Sequence, residues 1–302
     1  MAKLKLPHWI KANLFENKNF NQFTDEELGN LKERLKRFKE GDPDVSVVIP
    51  AYNEENNICR TLCSLSNSIS SYKVEIIVIN NNSTDKTQEI LDKLGVKSFV
   101  QSMQGIAYAR HMGLEQAKGK YQLCADADTL YPPDWIELMV QPMVTDKRIV
   151  GVYGRYSFLP SENGGRIGLW LYEMFTGILF RLRKKRREHI NMLGFNMGFI
   201  TEIGRNKKGF EVREVRKFNN DENSKDFTEV SEDGQMAVQL LTVGKLKMIT
   251  DSKARVYTSP RKILQDGGLT QAFFKRLKKH SHKILTYYFY QKKPNSPESV
   301  KN

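Results

Sequence analysis

Asp126 and Asp128 follow the apolar run YQLCA in the segment YQLCADADTLYPPDW. On an extended chain residues i and i+2 project to one side, so the two carboxylates share a space. Close carboxylates repel unless a cation sits between them. An all-oxygen set favours a hard divalent ion, Mg²⁺ or Mn²⁺, whose shell is completed by substrate phosphates. Taken alone, the triplet reads more ordinarily as an acidic turn entering Pro132 and Pro133. Glu232 and Asp233, in VSEDGQMAVQLL, stand at the head of an apolar-periodic segment, where an acid ordinarily serves as a helix cap.

The elements that must position these groups alternate. VSVVI, VEIIVI, VKSFV and YQLCA are short apolar runs, and the intervals carry the helix-like segments NNICRTLCSL, KTQEILDKL and AYARHMGLEQA. Strands alternating with helices predict βαβ units and a parallel sheet. Ligands of open parallel sheets bind beyond the carboxyl ends of the strands. Here those ends are polar: PAYNEE, NNNSTD and DADTL. In the first, Asn53 suits a helix N-cap, with Glu54 and Glu55 near the positive helix end. In the second, Asp85 with Gln88 three residues on predicts an N-cap. Further along, VGVYGRYSF and MITDSKARVYT predict strands and GQMAVQLLTVG a helix.

The boundaries read as a helical N-terminal extension over 1–44, a strand–helix half over 45–145, a second lobe on the same sheet over 146–262, and a basic aromatic extension over 263–302, its tail disordered. The chain has 302 residues with 48 Lys+Arg against 35 Asp+Glu, a formal net charge of +13. Such a balance predicts an anionic partner: a phosphorylated ligand, a lipid surface or nucleic acid. Cys59, Cys63 and Cys124 lack metal-site spacing and predict buried thiols in a reducing compartment. No secretory signal or spanning stretch is visible, which predicts a cytoplasmic protein.

In order and spacing, VSVVIPAYNEE, VINNNSTDKT, GIAYARHMGLEQAKGKYQLCADADTLYPPDW and SED with its following helix resemble the family-2 glycosyltransferases, over residues 45 to 260. The resemblance implies an α/β GT-A fold, a Rossmann-like, mainly parallel sheet flanked by helices. It implies an inverting, metal-dependent transferase moving a sugar from a nucleotide-sugar to an acceptor hydroxyl of a glycan or lipid-linked molecule. It implies too that the half over 45–145 binds the nucleotide-sugar and that over 146–262 the acceptor, the second also carrying catalysis. Pro50, Ala51, Tyr52 and Glu54 match the loop holding base and ribose. Asn81 matches the base contact. Many relatives read D-D-G-S or D-N-G-S there, where this chain has amides at Asn80, Asn81 and Asn82; an amide both donates and accepts, and UDP is the expected donor nucleotide. Arg110 matches the arginine aimed at the diphosphate. Asp126 matches the ribose or sugar contact and Asp128 the metal ligand. Asp233 matches the general base, with Glu232 beside it. One base fits a single displacement; double displacement needs a second, nucleophilic carboxylate. Asn196, in LGFNMGFITEIG, resembles an acceptor contact, and Arg261, in TSPRK, an arginine closing over the diphosphate.

Two segments, GLWLYEMFTGILFRLRKKRR and QAFFKRLKKHSHKILTYYFYQKK, join aromatic runs to cations. The first predicts an interfacial helix that buries Trp170, Phe175 and Phe180 at an anionic membrane, or else a helix packed on the core. Two other function classes stay open: a nucleic-acid-binding protein, although no nucleic-acid motif appears and the cations cluster at these segments, and a catalytically silent relative.

Overall fold

The structure is a computed structural model that describes residues 5–13, 20–39, 41–160, 166–184, 187–207, 209–210, 231–261, 263 and 271. The second basic aromatic segment and the tail lie outside the described residues, apart from Gln271.

Seven strands form the main sheet: β1 (Val45–Ala51), β2 (Val74–Asn80), β3 (Lys97–Val100), β4 (Tyr121–Cys124), β6 (Ile149–Gly154), β8 (Met197–Ile200) and β9 (Lys245–Ile249). Their order is β3-β2-β1-β4-β8-β6-β9. All neighbours pair in parallel except at β8, which runs antiparallel to both β4 and β6. A small second sheet joins β5 (Thr129–Leu130), β10 (Val256–Thr258) and β7 (Tyr156–Phe158) in the order β5-β10-β7.

Strand alternation divides the core. Val45, Val47 and Ile49 of β1 and Ile76 and Val78 of β2 face one side. There they meet α2 (Asp25–Lys36), α3 (Ile58–Ser66), α4 (Thr87–Leu94) and α6 (Trp135–Thr145). Val48, Ile77 and Ile79 face the other side, against α5 (Ile106–Gln116). Beyond them α9 (Glu232–Leu241) packs on a second apolar cluster with Phe199 and Met248, while α8 (Thr201–Asn206) contacts α5 and α9. The result is a mixed α/β fold with a mainly parallel central sheet between helical layers. Preceding α2 is the short α1 (His8–Asn13). In α2, Leu28, Leu31 and Leu35 join the main cluster, and Thr24 and Glu27 form a capping box at its start.

Several sequence expectations need correction. VGVYGRYSF breaks at Arg155 into β6 and β7, which belong to different sheets. MITDSKARVYT likewise splits, because Asp251 accepts the Lys253 N–H and caps a 3₁₀ turn over Ser252–Ala254. Asn53 caps no helix of its own: α3 starts at Ile58, and Asn53 adopts φ 52°, a left-handed conformation that asparagine tolerates. Its carbonyl oxygen accepts the Thr84 N–H at 2.8 Å. Asp85 precedes the first turn of α4, accepting from the Thr87 N–H and from the Glu55 N–H, while Gln88 bonds Asn80 instead of closing a capping box. The loops after β1 and β2 are therefore laced together.

All three cysteines are free and buried, and burial pushes the thiols up, that of Cys59 to about 12 and that of Cys124 to about 11. They are inert at neutral pH.

Candidate active site

The polar residues gather at the carboxyl ends of β1, β2 and β4. Arg110 lies one turn into α5 and is buried. Its guanidinium pairs with Asp126 at 3.3 Å and with Asp233. Asp233 reaches this point because Ser231 caps α9, accepting the Gly234 N–H at 3.3 Å, and Glu232 and Asp233 occupy the first turn, where acids favour the helix dipole. The other oxygen of Asp233 accepts the Gly194 N–H at 2.9 Å. A Cβ on Gly194 would overlap the Arg110 guanidinium, so only glycine permits this approach.

A second arginine serves the outer acids. Arg261 reaches Glu54 Oε1 at 2.5 Å and Asp128 Oδ2 at 3.4 Å. Glu54 also accepts from Asn57 at 2.7 Å, and its N–H donates to Thr87 at 2.9 Å. Among its contacts, Asp128 accepts from Arg261 and from Thr129, each at 3.4 Å, longer than the ~2.7–2.9 Å of strong charge-assisted bonds. The chemistry of the group, an oxygen-only carboxylate at the strand end, fits a hard divalent cation sharing its shell with phosphate.

Tyr131 braces the acidic turn, accepting the Asp126 N–H at 2.8 Å and donating to the Phe195 carbonyl at 3.0 Å. Burial pushes its hydroxyl well above the usual phenol range, keeping it a donor. Tyr131 and Gly194 are not among the residues expected from the sequence, where nothing distinguishes this tyrosine from a core aromatic.

Other expected contacts turn inward. Pro50 and Ala51 are buried in the last pairs of β1 with Ile79 and Asn80. Pairing with β4 ends at Val48, so the missing N–H of Pro50 costs no ladder bond on that side. Of Pro50, Ala51, Tyr52 and Glu54 only Tyr52 is open, at 45% exposure, with a ring placed to stack. Asn81 is 4% exposed; its amide donates to the carbonyls of Met103 at 2.7 Å and Gln101 at 3.3 Å and accepts the Gly105 N–H at 2.7 Å. Gly105, with φ 149°, takes a turn closed to other residues. Asn196 is 1% exposed, accepting from the Trp135 indole at 2.8 Å and donating to the Arg155 carbonyl at 2.8 Å. Both amides hold backbone and core in place. Glu232 opens α9, half-buried.

Acids and arginines thus gather where an open α/β sheet places its ligands. The family model for glycosyl transferase family 2 matches residues 46–204, more than half of the chain, and the chain belongs to that family. An uncharacterized glycosyltransferase of Haemophilus influenzae is 33% identical over 133 residues, 42% of this chain and 52% of that protein. The chondroitin synthase of Pasteurella multocida is 37% identical over 116 residues, 37% of this chain and 12% of that protein. The chain thus spans about half of the first relative's length and a small part of the second's. Among solved structures, S. aureus TarS 1–349 superposes with a TM-score of 0.54 at 16% identity, over 81% of this chain and 70% of that one. Its complex with UDP-GlcNAc gives 0.53 at 18% identity, over 72% and 58%. This likeness is one of fold.

Proposed function

We propose that the chain is an inverting, metal-dependent glycosyltransferase that moves a sugar from a UDP-sugar to an acceptor hydroxyl in surface-glycan or glycolipid synthesis. The observation that carries the reading is Arg110 bridging Asp126 and Asp233 at the strand ends of a family-2 fold. The UDP-GlcNAc complex of TarS supports the choice of donor class. Asp233 takes the proton of the acceptor hydroxyl, whose oxygen attacks the anomeric carbon as the bond to the diphosphate oxygen breaks. Pairing with Arg110 favours the Asp233 carboxylate until the donor diphosphate draws the guanidinium away. Arg261 grips the same diphosphate from the outer side, and Tyr52 stacks on the base. Asp128 would hold a divalent cation, Mg²⁺ or Mn²⁺, which offsets charge on the departing diphosphate.

The test is release of nucleoside diphosphate from a panel of nucleotide-sugars with Mg²⁺ or Mn²⁺, comparing wild type with Asp128→Ala and Asp233→Asn. Turnover lost in both variants is expected. No turnover and no metal-dependent donor binding by the wild type would sink the enzyme reading, and salt-sensitive nucleic-acid binding in its place would favour that alternative.

The reading also places the protein at the cytoplasmic face of an anionic membrane. No described helix is long and apolar enough to cross a bilayer. In α7 (Arg166–Lys184), the helical repeat turns Phe180 and Arg183 into the protein, so the expected anchor Phe180 is unavailable. Ile167, Leu171, Met174 and Ile178 form the exposed apolar stripe instead, followed by Arg181 and Lys184. Co-sedimentation with anionic but not neutral vesicles is expected, and loss of it in Leu171→Glu. Equal sedimentation with both vesicle types would remove the electrostatic part of the argument.

A further inference from the structure

Between α7 and the strands β7, β9 and β10 lies a cavity of about 260 Å³. Its carboxylate, Glu173, is already engaged, accepting from Ser157 Oγ at 2.9 Å, from the Phe158 N–H at 2.7 Å and from Arg166 at 3.2 Å. Three further guanidiniums line the same space: Arg155, Arg181 and Arg255. Arg255 is 7% exposed, and among the described residues its side chain makes one hydrogen bond, to Ser157 Oγ at 3.3 Å. The Arg155 side chain makes none among the described residues. Burial lowers the pKa of both, reinforced at Arg155 by the charge of Arg181.

Around the one carboxylate Glu173 the cations are in excess, Arg255 buried, Arg155 half-buried and Arg181 exposed at the mouth, and guanidinium forks fit tetrahedral phosphate oxygens bidentately. The remaining wall is apolar, formed by Met174, Ile178, Phe180 and Met248. Met174 and Ile178 also belong to the exposed stripe of α7, so the cavity opens onto an apolar track.

We propose that this cavity binds a phosphate monoester carried on an apolar chain, the phosphate held by Arg155, Arg181 and Arg255 and the chain laid along Met174 and Ile178. The volume is just under the ~300 Å³ at which small-molecule sites begin, enough for the phosphate and first carbons with the rest of the chain on the track. Tyr156 packs edge-on against Phe180 on the cavity side, at 6.1 Å between ring centroids, and against Phe195 at 5.2 Å. Phe195 follows Gly194, the residue that holds Asp233. The inference stands apart from the transferase reading, since binding needs neither donor nor turnover.

Calorimetric titration with octyl phosphate, inorganic phosphate and octanol tests it. Octyl phosphate is expected to bind about tenfold more tightly than inorganic phosphate, and octanol not measurably. The double variant Arg155→Gln/Arg181→Gln should weaken octyl phosphate by about a hundredfold, with the corresponding double Lys variant in between. Met174→Ser, which removes apolar contact without adding charge, should weaken octyl phosphate while leaving inorganic phosphate unchanged. Undiminished binding by the double Gln variant overturns the proposal. So does inorganic phosphate matching octyl phosphate, which marks a free-phosphate site, or octanol matching it, which marks a merely greasy one.

Discussion

Arg261 and Glu54, 207 positions apart in the chain, meet at 2.5 Å above the carboxyl end of β1. The contact ties the segment after β10 to the first loop of the sheet, and the same guanidinium leans on Asp128. Removing it leaves two acids facing each other where the proposed diphosphate must lie. Arg261→Ala is expected to raise the donor KM about tenfold to a hundredfold, the scale of hydrogen bonds to a charged group. Steady-state kinetics with the donor identified in the panel assay decides it, and an unchanged KM would mean the arginine serves only Glu54.

Arg110 carries a heavier structural duty, because it neutralises two acids while buried. Arg110→Gln should destabilise the fold by about 3 kcal/mol or more, the cost of leaving a buried charge pair broken. Urea unfolding measures this. A loss below about 1 kcal/mol would show that water reaches the acids freely.

Gly194→Ala separates geometry from stability. The added methyl overlaps the Arg110 guanidinium and shifts it from Asp233. A displacement of this size in a reacting constellation lowers kcat about a hundredfold. The measurement pairs kcat with a melting curve, and wild-type kcat in the alanine variant would contradict the close approach.

How far did the sequence carry these assignments? The strand and helix alternation was legible because β1 and β2 are apolar on both faces and are punctuated by polar loops. The acids were legible because Asp126 and Asp128 sit beside the strand that positions them. What each side chain faces was not legible. Asn196 reads as polar and available, yet it is spent on Trp135 and the Arg155 backbone, elements distant in the chain. Phe180 reads as a membrane anchor until the helical phase, set by Tyr156 and the core, turns it inward.

The opposite end of the sheet supplies a pH prediction. Burial alone would raise the Glu75 pKa, but hydrogen bonds from Lys97, Ser46 and the Lys118 N–H outweigh it and leave the value lowered. A carboxylate with a depressed folded-state pKa contributes stability above its unfolded value, and that contribution is lost as pH falls through the folded one. Urea midpoints should therefore drop on acidification below the ordinary glutamate range, and Glu75→Gln should flatten that drop. Parallel curves for the two proteins would rule out Glu75 as a source.

The amide at position 81 is matched to the turn it holds. Its nitrogen faces two carbonyls of the 101–103 turn and its oxygen faces the Gly105 N–H. A carboxylate in its place would keep the second contact and forfeit the first, so an acid at this position demands a different course for the turn. The asparagine and the turn are therefore one mechanical unit: a substitution at position 81 must redraw the turn, and with it the entry of the helix that carries Arg110.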